Sequence, residues 1–264
     1  MLDEILIAAP AFLLLAVRAL AMIETAPLLS SDVTPQVVKL ALAGFVAYSA
    51  FPSAMNNAME VSTFGLNFIM LVIGEGMIGI ITGFFINLVF AAFLTAGQFF
   101  SLQMGFAASE TFDPLAQEEN PLMGQYLNLV AMLVFLSIGG FRELFLGGFW
   151  RSVQSISIAD MVQGREQSVA MLLAGLSRLF MDAMIISLPI LGTLFLTSLA
   201  TGLISKAAPQ INILSEGFPI SITTAFMLIF ITLPFMTEAF SRIIDSGFTT
   251  LESLFVQIGH RIGG

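Results

Sequence analysis

The sequence predicts an all-α fold: a polytopic integral membrane protein of long, kinked helical hairpins. Three observations predict it. Hydrophobic residues fill 57% of the 264 positions and charged residues only 10%, a balance far from that of a soluble domain. Apolar runs recur at about 5–23, 37–55, 64–96, 126–149, 169–204 and 222–240, and roughly 20 helical residues cross a bilayer core of about 30 Å. Prolines and glycines punctuate these runs, which predicts kinks rather than straight rods. The aromatic content, Phe 26 and Met 15 against Trp 1 and Tyr 2, lies in pure hydrocarbon, so the interfacial aromatic belt is weak.

Along the chain, the acidic start "MLDE" is unlike the positive start of a secretory signal peptide, so the first run is expected to stay in the mature protein. Pro10 lies within that run, and Pro52 is expected to end the second. The run 64–96 would make a helix of about 50 Å, and 169–204 one at least as long. Such helices must tilt steeply, break or extend beyond the bilayer. Pro189 and Gly192 are expected to split the fifth run, and Pro234 falls inside the sixth. Broken helices survive at membrane depth only where protein or a water-filled cavity covers the freed backbone groups, so these helices are expected to be covered mostly by protein. Gly76, Gly79 and Gly83 share one helical face, a small-residue spacing that permits close backbone approach.

Four ionisable residues lie inside the runs: Arg18, Glu75, Arg178 and Asp182. Each costs about 2.5–3.5 kcal/mol on insertion scales and should face a partner, a cavity or an interface. Arg178 and Asp182 are four apart and can pair along one helix. Glu75 has glycine on both sides and no local partner, which leaves a proton or cation site and a bond to a neighbouring subunit as equal readings. Basic residues in the connections, Arg151 and Arg165 in 150–166 and Lys206 in 205–218, are too few to orient the chain by the positive-inside rule.

Much chemistry is excluded. Cys 0 and the single His260 remove disulfides, thiolate metal sites and histidine clusters. A net charge of -9 argues against nucleic acid, whose binders neutralise phosphates with Lys and Arg. No Walker loop, GxSxG elbow or HExxH segment is present, so neither an enzyme nor a cofactor is expected. The remaining classes are a solute transporter or channel subunit and a component of a larger membrane machine.

Between the third and fourth runs stands "SLQMGFAASETFDPLAQEENP", residues 101–121, soft and mobile at first and then acidic. "GQFFSLQMGFAASETFDP" (97–114) and "GLISKAAPQINILSEGFPI" (202–220) resemble the two most characteristic segments of the FliR family, the export-gate proteins of the bacterial flagellum, called SctT in injectisomes. Gly97, Gln103, Gly105, Asp113 and Pro114, then Ala208, Pro209, Gln210, Gly217, Phe218 and Pro219, stand in the family's order, and "GEGMIG" at 74–79 looks like a further family segment.

The resemblance implies one export-gate domain over 1–264, packed with FliP and FliQ subunits in a helical, cone-like gate of the inner membrane and flagellar basal body. It implies FlhB as a further neighbour, unfolded flagellar proteins as cargo, and surrounding lipid. It also implies that the loop at about 104–122 plugs the closed channel. The residues suit that role. Met104 and Met123 are deformable, Phe106 and Phe112 supply bulk, and Gly105 gives the backbone freedom. Residues 185–240 look like a FliQ-type hairpin, whose tip, with Lys206, Pro209, Gln210, Asn212 and Pro219, would face the cytoplasm. Prolines and Asn are good turn formers in any protein. The competing expectation is a proton-coupled transporter using Glu75 or Asp182.

Overall fold

The computed structural model describes residues 2–31, 34–56, 66–105, 122–156, 165–208 and 213–259. All regular structure among them is helical. The helices are α1 (Leu2–Thr25), α2 (Gln36–Asn56), α3 (Leu66–Met104), α4 (Leu122–Ser137), α5 (Gly140–Ser155), α6 (Arg165–Ala207) and α7 (Ile213–Gly259). Among the described residues, three helices are long and apolar enough to cross a membrane, within α3, α6 and α7, or four if the bent pair α4 and α5 is one span.

The prolines do not break the chain where the sequence led us to expect. Pro189 and Gly192 lie inside an uninterrupted α6, Pro219 and Pro234 inside α7, Pro10 inside α1, and Pro52 inside α2 four residues before its end. A proline removes one amide and frees one carbonyl. In a helix of 43 or 47 residues that single loss is outweighed by the intact ladder on either side. The real break falls in the fourth run, read from sequence as continuous. Gly139, at φ 75°, takes a left-handed conformation that glycine adopts without steric cost, and α4 and α5 bend there by 77°. Beyond the bend, Leu144–Trp150 is wound as a π-helix, a form concentrated at functional positions.

Packing divides the chain into two compact units. The first comprises residues 1–89, 139–176 and 245–264, and the second 90–138 and 177–244. Three of the boundaries fall inside α3, α6 and α7. In the first unit, Leu15 and Ala47 are fully buried and pack with Phe12, Ala16, Phe51 and Val153. The Phe12 and Phe51 rings meet edge-on at 6.3 Å. The glycine face of α3 lies against α1. A Cβ on Gly79 would stand 2.9 Å from the Ala21 Cβ, and one on Gly83 2.6 Å from the Met22 carbonyl oxygen, so only glycine admits the crossing at this distance.

The second unit has a phenylalanine core. Phe90 contacts Phe93 at 6.0 Å and Phe135 at 5.4 Å, and Phe93 contacts Phe240 at 4.5 Å. Tilted ring pairs of this kind contribute about 0.5–1.5 kcal/mol each beyond area burial. Gly97 and Gly124 bring α3 and α4 together: a Cβ on Gly97 would lie 2.5 Å from the Gly124 amide nitrogen.

Candidate functional site

Close approach of α1 to α3 puts two charges of the first unit, Arg18 and Glu75, side by side. The Arg18 Nε donates to Glu75 Oε2 in an ion pair, with both side chains buried. The guanidinium reaches further, donating through Nη1 to Ser152 Oγ at 3.4 Å and through Nη2 to the Ile156 carbonyl at 3.3 Å. Ser152 in turn donates to the Phe149 carbonyl at 2.7 Å. Ile156 follows the last helical residue of α5 with an extended backbone. Arg18 thus satisfies a carbonyl that the helix end leaves open, and its charge sits at the negative end of the helix dipole.

Ionised groups withdrawn from water are tolerated when paired and hydrogen-bonded. Glu75, without a partner near it in the sequence, has one inside the chain in Arg18. Its other oxygen, Oε1, is buried with no hydrogen-bond partner among the described residues.

A second buried cation was not singled out from sequence. Lys39 is 2% exposed and donates to Glu24 Oε2 at 2.9 Å and to the Ser30 carbonyl at 3.4 Å. The available signal was its place one turn into α2 and the acid at the end of the first run. Near the same C-terminal end of α5, Arg151 pairs with Glu252 of α7 at 3.5 Å, within the first unit.

Arg178 and Asp182, in the second unit, pair along α6 at 3.6 Å and are partly exposed.

The segment expected to begin a plug at about 104 is still helical there. Gln103 is exposed, Met104 is fully buried, and Gly105 ends the helix. Met123 is likewise buried, in the first turn of α4. Both methionines are buried in the interior of this chain. Phe106, Phe112, Asp113 and Pro114 lie outside the described residues.

At the second segment, Lys206 is exposed in the last turn of α6, while Pro209, Gln210 and Asn212 lie outside the described residues. Gly217, Phe218 and Pro219 belong to the opening turns of α7 rather than to a loop. Pro219 therefore does not shape the hairpin tip. Gly105 and Phe218 are brought together: a Cβ on Gly105 would collide with the Phe218 ring. Among the described residues, no group of three or more metal-binding side chains occurs.

Residues 9–247 match the family described as bacterial export proteins, family 1. The chain is 27% identical over 253 residues to the flagellar biosynthetic protein FliR of Bacillus subtilis, covering 95% of this chain and 96% of the relative. It is 33% identical over 198 residues to the protein of that name in Borreliella burgdorferi, covering 75% and 73%. To that of Escherichia coli it is 29% identical over 241 residues, covering 91% of each. With most of its length matched in this way, the chain belongs to the bacterial export proteins, family 1, the family of the FliR flagellar biosynthetic proteins.

Proposed function

We propose that this chain is a subunit of the flagellar type III protein export gate, forming with FliP and FliQ the channel through which unfolded flagellar proteins cross the inner membrane. The observation that carries this reading is the family match over 9–247 with flagellar relatives along nearly the whole chain. The surface supports it. Only 11% of the most apolar window of α7 is buried, against 50% in α3. Phe226, Met227, Phe230, Ile231 and Phe235 are all exposed there, a surface suited to sister subunits as well as lipid.

The role is passive. Energy and cargo delivery come from elsewhere in the apparatus, and this chain supplies wall and closure. The connection 106–121 closes the resting channel, and FlhB lies at the cytoplasmic side near the α6–α7 connection. Arg178 stands where it can pair with a neighbouring subunit, whereas Arg18 and Glu75 hold the chain together internally. That internal pairing weighs against a proton relay through Glu75.

Removal of residues 106–120 from the chain, co-expressed with its neighbours, tests the closure. The assembled gate is expected to leak ions, and an assembled gate of normal membrane tightness would overturn this reading.

A further inference from the structure

Within the first unit, α3 is covered by its own chain on one side and open along a narrow strip on the other. From Met70 to Asn87 the exposed residues are Met70, Ile73, Met77, Ile80, Phe84 and Asn87, and the five apolar ones run from 64% exposed at Met70 to 44% at Phe84. Every exposed position in this stretch belongs to that set, at successive spacings of three, four, three, four and three. This is the a and d spacing of a heptad, with a mean period of 3.5 residues. Residues between them turn to the chain itself: Gly79 and Gly83 lie against α1, Ile86 against Gly148 of α5, and Phe85 against Gly175 of α6.

The width of the strip says what fits it. On α7 the exposed apolar residues include adjacent positions, Phe226 with Met227 and Phe230 with Ile231, and neighbours about 100° apart make a broad face suited to lipid. A strip confined to a and d positions is instead the narrower seam that receives a single helix. We propose that this seam is the seat of one uncharged helix of a neighbouring gate subunit, which crosses α3 at about 20° with its side chains set between those of the seam. The proposal rests on the reading of the chain as one subunit of the gate, and it adds the surface and the kind of helix that meets it.

The chemistry of the occupant follows from the seam. The one charge of α3, Glu75, is turned inward to Arg18, so the outer face offers a partner nothing ionic and matches a helix without charges of its own. Met70 and Met77 are unbranched and adapt to an uneven partner surface. Asn87 is the one polar side chain of the seam, and an amide there fixes register through a hydrogen bond to a polar group of the facing helix. Size argues against a second copy of this chain. Met70 to Asn87 is fewer than three heptads, and self-standing coiled coils sustain about three to four or more. With roughly 100 Å² open on each of five large side chains, the seam buries on the order of 500 Å² of this chain, short of the roughly 800 Å² per partner of a stable free-standing complex. Its occupant is therefore a helix that other contacts of the assembly also hold.

The test uses the full chain co-expressed with its FliP-like and FliQ-like neighbours in membranes, with a photo-cross-linking benzophenone side chain placed singly at Ile73, Met77, Ile80, Phe84 or, off the seam, Val72. The four seam positions should each cross-link to one identified gate neighbour, and Val72 should give at least about fivefold less. Ile80→Lys should lower the yield of mixed particle about tenfold while the chain alone keeps its thermal midpoint, and Ile80→Leu should assemble as the parent does. Cross-linking from the seam only to lipid, or to a second copy of this chain, in a mixed particle that does form overturns the seam and leaves the gate reading standing. Assembly of Ile80→Lys at the parent's yield overturns it too, and if that variant fails to fold, the cross-links decide. If the parent chain forms no mixed particle at all, the gate reading falls and the seam falls with it.

Discussion

The Arg18–Glu75 and Arg178–Asp182 pairs are chemically alike and structurally opposite. Arg18 and Glu75 come from different helices, are 1% and 0% exposed, and tie in the end of α5 as a third partner. Arg178 and Asp182 sit one turn apart on α6, with the arginine side chain 46% exposed. A pair between helices is lost when the helices separate. A pair along one helix persists as long as that helix does, and membrane helices keep their backbone bonds even when they come apart. The first pair therefore contributes to the tertiary structure of this chain. The second presents a partly exposed guanidinium to whatever the chain packs against.

Breaking the buried pair should have the largest effect. Arg18→Ala or Glu75→Ala leaves one uncompensated buried charge and should cost about 3–5 kcal/mol, read as a drop in the thermal midpoint of the purified chain in detergent. The double change Arg18→Met, Glu75→Leu removes both charges and should recover most of that loss. If it recovers none, the three-way link through Ser152 and Ile156 matters more than charge balance. Next in size is the glycine face that makes the pair possible. Gly79→Leu puts a side chain into the Arg18 backbone and should cost about 1–3 kcal/mol or more, with Gly44→Leu as a control because a Cβ there meets nothing within 4 Å.

Arg178→Ala should cost the isolated chain under about 1 kcal/mol, as expected of a pair four apart on one helix. Its larger effect should be on the yield of mixed complex. Equal loss in chain stability and in assembly would erase the contrast between the pairs. Smallest is Arg242→Ala, whose partner Glu238 lies four residues away with both side chains more than half exposed. It should cost no more than about 0.5 kcal/mol of stability.

The helical, membrane-embedded character of the chain was legible because it depends on composition and run length, which no tertiary detail alters. The close contact of α1 and α3 was legible in part: Gly76, Gly79 and Gly83 marked the crossing face, but nothing local to Glu75 pointed to Arg18, 57 residues earlier. Lys39 was missed for the same reason, since burial of a lysine depends on the turn that folds α2 back onto Glu24.

The breaks were misplaced because proline was weighed as a stop. In long helices one missing bond is tolerated, whereas Gly139 permits a positive φ and turns the chain by 77°. The family segments were legible as segments but not as neighbours. That Gly105 and Phe218 touch is a property of the fold, and it joins what the resemblance had placed in two separate roles.

The central claim is that this chain is one part of a larger gate, and its most direct test is the mass of the particle recovered in mild detergent. The chain would be co-expressed with its FliP-like and FliQ-like neighbours and compared with the chain expressed alone. A large mixed particle containing this chain, with the exposed face of α7 protected from hydrogen exchange only in that particle, is the predicted result. A stable, monodisperse single-protein species that ignores those neighbours would contradict it.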